Sequence, residues 1–132
     1  MPDKIIVSPL TKLAEDEKLF YDTVRDFAES KIKPLVRKMD DAQKIDPSIP
    51  PTLFEMGLMG IEIPEVYGGA ETSFFMSILA VEAISTIDPS VAVMVDVQNT
   101  LVNNAFLRWG SEELNKKYLP QLATEKIGAY SL

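Results

Sequence analysis

The sequence predicts an all-α domain, on three observations. The stretch from Asp88 to Gly110 reads as one densely apolar helix, with Asp88 as N-cap, Pro89 at the first helical position, Arg108 in the last turn and Gly110 as a left-handed C-cap. Three flanking segments repeat apolar residues at spacings of three and four between clear stop signals. Only residues 126–132 alternate in a strand-like way, and nothing else in the chain offers a second strand to pair with them.

The central stretch deserves its place because Val91, Val93, Met94, Val95, Val97, Leu101, Val102, Phe106 and Leu107 nearly encircle its axis. Such a helix needs neighbours on several sides, so it belongs at the buried centre of the domain. Its valines are mediocre helix formers, so packing rather than propensity must hold it.

In chain order, residues 1–13 form an extended N-terminal arm and residues 14–125 the helical domain. A helix starts at Ala14, where Glu15, Asp16 and Glu17 suit the positive end of its dipole. Its stripe runs Phe20, Val24, Phe27, Ala28, Ile32, Leu35 and Met39; Pro34 either kinks one long helix or divides two short ones. Asp40 to Ile49 reads as a loop. A short helix follows from about Pro50 to Met56, with Gly57 beyond it. Pro64 and Gly68-Gly69 then impose an irregular loop with Ile61, Ile63 and Tyr67 turned inward. Thr72 or Ser73 caps a helix from Phe74 to about Ile87, and Ser111 caps a last one from Glu112 to about Ala123. Residues 126–132 read as a strand. It either pairs with another chain or opens a further domain, because an unpaired strand leaves its backbone groups unsatisfied.

Composition narrows the function. A formal charge of −7 argues against nucleic acid or an anionic membrane as principal partner. With no Cys and no His, thiol chemistry is excluded, along with the commonest general base and metal ligand. No apolar run has the length of a membrane span and no signal peptide is visible, so the chain reads as soluble and intracellular. The paired carboxylates Asp40-Asp41 and Glu112-Glu113 read as solvated surface charge. Asp96 sits within the most apolar helix, on a face toward water or a neighbouring domain, or as a functional acid. Gln98, Asn99, Asn103 and Asn104 form a polar band, read as hydrogen-bonded packing or an interface, with a ligand-orienting role as the alternative. Met56, Met59, Met76 and Met94 read as core fillers, Met94 equally as a pocket wall. No catalytic set is complete.

An ordered series of motifs resembles the acyl-CoA dehydrogenase family. Leu19-Phe20-Tyr21-Asp22-Thr23-Val24-Arg25-Asp26-Phe27-Ala28 with Ile32-Lys33-Pro34 resembles the family's opening helix. Gly57-Leu58-Met59-Gly60-Ile61 and Pro64-Glu65-Val66-Tyr67-Gly68-Gly69 are similar to its early signature. Lys117-Tyr118-Leu119-Pro120 and Gly128-Ala129-Tyr130-Ser131-Leu132 follow in the right order. Val91-Ala92-Val93 and Gln98-Asn99-Thr100-Leu101 look most like the short/branched-chain members.

The resemblance implies an N-terminal helical bundle of a three-domain fold, ending in the first strand of a middle β domain. It implies an FAD enzyme that forms a trans-2,3 double bond in an acyl-CoA, with electron transfer flavoprotein as partner and a homotetramer as assembly. It implies Val93, Met94, Val97 and Leu101 as acyl-pocket wall, and Tyr130, Ser131 and Leu132 as flavin-approaching residues. The catalytic glutamate is expected beyond Leu132, so no residue here is assigned as catalytic and the chain alone is expected to be inactive and to self-associate. Gln98 to Asn104 are expected to face structure outside this chain. Medium-chain relatives carry polar residues at some acyl-wall positions, and Ala14 replaces the usual Ser/Thr cap. The implied compartment is the mitochondrial matrix in a eukaryote or the cytoplasm in a bacterium. A helical interaction module and an acyl-CoA oxidase are the alternatives.

Overall fold

The computed structural model describes residues 12–131, so Leu132 and most of the expected N-terminal arm lie outside the described residues. The described residues are helical, with no strand among them. Helix α1 (Glu15–Phe27) starts where expected. Glu17 accepts the Ala14 amide at 2.8 Å, so the helix keeps one half of a capping box although Ala14 has no side-chain acceptor.

Pro34 does not divide the helix. A π-helical turn (Ala28–Ile32) and a 3-10 turn (Lys33–Leu35) carry it into α2 (Val36–Ala42) with helical dihedrals at each junction. A widened and then a tightened turn is how the chain passes a residue with no amide to donate. The apolar stripe survives: Val24, Phe27, Ala28, Ile32 and Met39 are all buried. The loop expected from Asp40 starts only at Gln43, whose left-handed φ of 50° closes α2 by bonding to Asp40 O and Met39 O from residues 43 and 44.

Helix α3 (Ile49–Glu55) buries Ile49 and Leu53, while Met56 after it is exposed rather than core. The loop behind it turns Leu58, Met59, Ile61 and Ile63 into the core and half-buries Tyr67, passing a 3-10 turn (Glu65–Tyr67). It folds back on itself: Ala70 N donates to Gly60 O, Thr72 N to Ile61 O and Glu71 N to Ile63 O, all within 3.0 Å. Gly69 is required there because a Cβ would overlap Ile63 O. Ser73 caps α4 (Phe74–Ser85) by accepting the Met76 amide.

The central stretch is one helical run in three parts: α5 (Pro89–Asp96), a π-helical segment (Val97–Asn103) and α6 (Asn104–Trp109). Asp88 caps it as expected, its carboxylate accepting Ser90 N at 2.7 Å and Val91 N at 3.1 Å. Gly110 is not a left-handed cap: its φ of −71° is ordinary and its backbone is extended. Space is what demands glycine, since a Cβ would come within 2.5 Å of Asn115 Oδ1 and 2.6 Å of Phe106 O. Ser111 caps α7 (Glu112–Thr124), which runs through Pro120.

Two apolar clusters hold these elements. In the larger, α4 packs between α1 and α5, with Val91, Ala92 and Val95 of α5 fully buried. In the smaller, Ile63, Val102, Leu119, Leu122 and Ala123 bring the loop, the π segment and α7 together. Residues 126–131, expected as a strand, have no regular secondary structure and no ladder partner.

Candidate functional site

The central helix changes character along its length, and the change builds the site. In α5 the inward side is valine and alanine. In the π segment it is amide: Gln98, Asn99 and Asn103 are fully buried, and Asn104 at the start of α6 nearly so. A turn bonded five residues back gathers more residues per turn than an α-helical one, which lets Gln98, Asn99, Val102 and Asn103 all face inward.

The expectation that Gln98 to Asn104 face structure outside this chain is therefore corrected. Asn99 Nδ2 donates to Leu58 O at 2.8 Å and Val95 O at 2.9 Å, and its Oδ1 accepts Ile61 N at 3.0 Å. Asn103 Nδ2 donates to Met59 O at 2.8 Å, while its Oδ1 is buried without a partner. Gln98 holds the end of α7 and the segment after it, donating to Leu122 O and Lys126 O and accepting Gly128 N. The reason is local: an irregular loop and an unladdered segment after α7 present backbone groups that no ladder satisfies, and buried amides can satisfy them.

Glu62 is the one described acid that burial pushes above the ordinary glutamate range. Asn104 Nδ2 at 3.3 Å and Ser77 Oγ at 3.5 Å donate to its Oε2, and both bonds, with the nearby Arg108 charge, oppose the desolvation. Asp46, by contrast, is held well below the carboxylate range by the Lys38 ammonium at 2.8 Å and by Ser48. Among the described residues no acidic cluster is arranged to hold a metal ion. No helix among the described residues is long and apolar enough to cross a membrane.

The residues singled out as acyl wall divide by exposure. Val93 is 57% exposed and Leu101 39%, so neither is core. Met94 is partly buried against the larger cluster, and Val97 against the smaller. Val93 and Val97 are four residues apart, as are Val97 and Leu101, so the three run along one side of the helix. Tyr130 is 52% exposed, Ser131 is exposed, and Leu132 falls outside the described residues. None of these residues lines either of two surface clefts among the described residues. One cleft lies beside Arg25, Arg37, Lys44 and Asp88, the other between Phe54 and Ile127. Glu62 and the role of Gln98 escaped the sequence, because their partners lie 15 to 42 and 24 to 30 residues away.

With this geometry in place, likeness to known proteins is informative. Residues 14–126 match the family described as acyl-CoA dehydrogenase, N-terminal domain. A probable short/branched chain specific acyl-CoA dehydrogenase of Dictyostelium discoideum is 45% identical over 129 residues, 98% of this chain and 31% of the relative. The mitochondrial short/branched chain specific acyl-CoA dehydrogenase of Rattus norvegicus is 41% identical, over 95% of this chain and 29% of its own length. The structure of butyryl-CoA dehydrogenase from Megasphaera elsdenii superposes with a TM-score of 0.77 at 28% identity, over 85% of this chain and 30% of that one. This chain thus spans about a third of the length of the curated relatives it matches. By the motif order, the helical architecture and the family match, it belongs to the acyl-CoA dehydrogenase family, as an N-terminal domain.

Proposed function

We propose that this chain serves as the N-terminal helical domain of an FAD-dependent acyl-CoA dehydrogenase acting on short or branched acyl-CoA thioesters. Val93, Met94, Val97 and Leu101 form the wall against the acyl chain, and Tyr130, Ser131 and Leu132 approach the flavin. The observation that carries this reading is the apolar strip from Val93 to Leu101, left partly exposed on a helix whose other side is closed by packing and buried amides. An apolar wall favours each buried methylene by roughly 0.8 kcal/mol, and a short or branched chain offers few of them.

The residues present fit one edge of a flavin site and no more. An exposed aromatic ring and a hydroxyl stand at Tyr130 and Ser131. The sequence carries no glycine-rich phosphate loop. Bound flavin would supply the hydride acceptor; this chain contributes shape and apolar surface, and no residue in it is assigned as base. Electron transfer flavoprotein as acceptor, a tetrameric assembly and, in a eukaryote, the mitochondrial matrix belong to the same proposal. The mitochondrial description of the rat relative supports the last.

A chimera tests it. This chain replaces the matching segment of the Dictyostelium relative, and the product is assayed with 2-methylbutanoyl-CoA and an artificial electron acceptor. Retained flavin with turnover is expected. A folded, flavin-loaded chimera that oxidises no acyl-CoA would sink the reading.

A further inference from the structure

One fully buried side chain governs where the end of the described chain goes. Gln98 makes three hydrogen bonds, all to the backbone at or just beyond the end of α7. Nε2 donates to Leu122 O at 2.8 Å and Lys126 O at 3.0 Å, and Oε1 accepts Gly128 N at 2.7 Å. Both ends of the amide are committed, so its orientation is set by its partners. A second contact fixes the same point. Gly128 lies directly on Val102, where a Cβ would overlap the valine side chain and come within 2.9 Å of its Cβ. Beyond Gly128, residues 129–131 are exposed. The Lys126 amide still donates to Gln121 O at 2.7 Å, but beyond it the segment has no ladder to steer it, and a side chain four residues before Val102 holds Lys126 O and Gly128 N.

Both anchors stand on the π segment that also carries Val97 and Leu101. The proposed acyl wall and the course of residues 126–131 are therefore referred to one stretch of backbone. We propose that Gln98 is a positioning residue. Its buried amide, with the Gly128–Val102 contact, sets the course of residues 126–131 and so holds Tyr130 and Ser131 in register with the acyl wall at the flavin edge. The inference rests on the flavin-edge reading above.

Gln98→Glu keeps the shape and an acceptor for Gly128 N but offers no donor to Leu122 O or Lys126 O. Gln98→Met keeps the length and removes all three bonds. Gly128→Ala displaces the segment without touching Gln98, and Val102→Ala added to it removes the two methyl groups in the way, leaving only the Cβ of residue 102 at 2.9 Å.

In the 132-residue chain, hydrogen exchange at the Gly128 amide is the first readout. Gln98→Met should lower its protection by about 100-fold while the Ile61 amide, bonded to Asn99, keeps its own. In the flavin-loaded chimera, Gln98→Glu and Gly128→Ala should each weaken FAD binding about tenfold or more and shift the flavin absorption band. Val102→Ala should recover part of the Gly128→Ala loss, because the Cβ of residue 102 still stands close. Gly128 protection unchanged in Gln98→Met overturns the proposal. So does an exposed Gly128 amide with flavin affinity and spectrum unmoved, or a Gly128→Ala loss that Val102→Ala does not relieve at all. An unsubstituted chimera that folds without flavin instead overturns the functional reading, and this inference with it.

Discussion

The two halves of the central helix do the same job with opposite chemistry. In α5, Val91, Ala92 and Val95 bury apolar surface in the larger cluster, chiefly against α4. In the π segment, Gln98, Asn99 and Asn103 bury amides against the 58–63 loop and the end of α7. The first kind of packing is non-directional, so it tolerates any side chain of similar volume. The second is directional and unforgiving, because losing one partner strands the other in a dry interior. Helix partners with regular backbone can be met by valine. Irregular partners need donors and acceptors aimed at them.

The largest difference between the halves is expected at Asn99. Asn99→Ala strands Leu58 O and Ile61 N together, and should cost about 3–4 kcal/mol by thermal or urea unfolding. Val95→Ala, an equally buried site in the apolar half, should cost about 2 kcal/mol, for two lost methyl groups plus a partly relaxed cavity. If the valine change proves the more damaging, the distinction between the halves fails. Asp88→Ala, which removes the cap without opening a cavity, should cost about 1 kcal/mol.

Two smaller effects sharpen the boundary between structure and function. Val93→Glu on the exposed strip should move stability by no more than about 0.5 kcal/mol. The same change in the chimera should cripple acyl-CoA turnover; a clear loss of folding instead would return Val93 to the core. Glu62→Gln tests the partly buried acid. A raised pKa means that the folded state binds the proton more tightly. The wild type therefore loses stability as pH rises from the ordinary glutamate range through the raised value. The glutamine variant should be slightly more stable than wild type at pH 7, and that advantage should shrink below pH ~4, where an ordinary glutamate is protonated. Equal pH profiles for the two proteins would show that Glu62 is not desolvated.

Much of this was legible in one dimension. Asp88, Ser73 and Ser111 cap the helices they were expected to cap, because an N-cap bond spans only two or three residues. The stripe from Val24 to Met39 is buried as its spacing demands. The motif order from Leu19 to Tyr130 identified the family. What failed, failed for want of distance information. Gly110 looked like a left-handed cap, yet it is glycine because Asn115 and Phe106 crowd it. Val93 and Leu101 looked like core because an apolar residue does not announce which side of a crowded helix it occupies.

Local chemistry, then, belongs to the sequence: helix starts, the irregular loop at Pro64 and Gly68-Gly69, the apolar stripes, and through the motifs the family. The inward turn of the amides belongs to the tertiary structure. Asn99 meets Leu58 across 41 residues and Gln98 meets Gly128 across 30, and no periodicity along a chain encodes which distant backbone groups lack a partner. The tertiary structure also set the pitch of the helix between them, a π segment that brings those amides to face the loop and the end of α7.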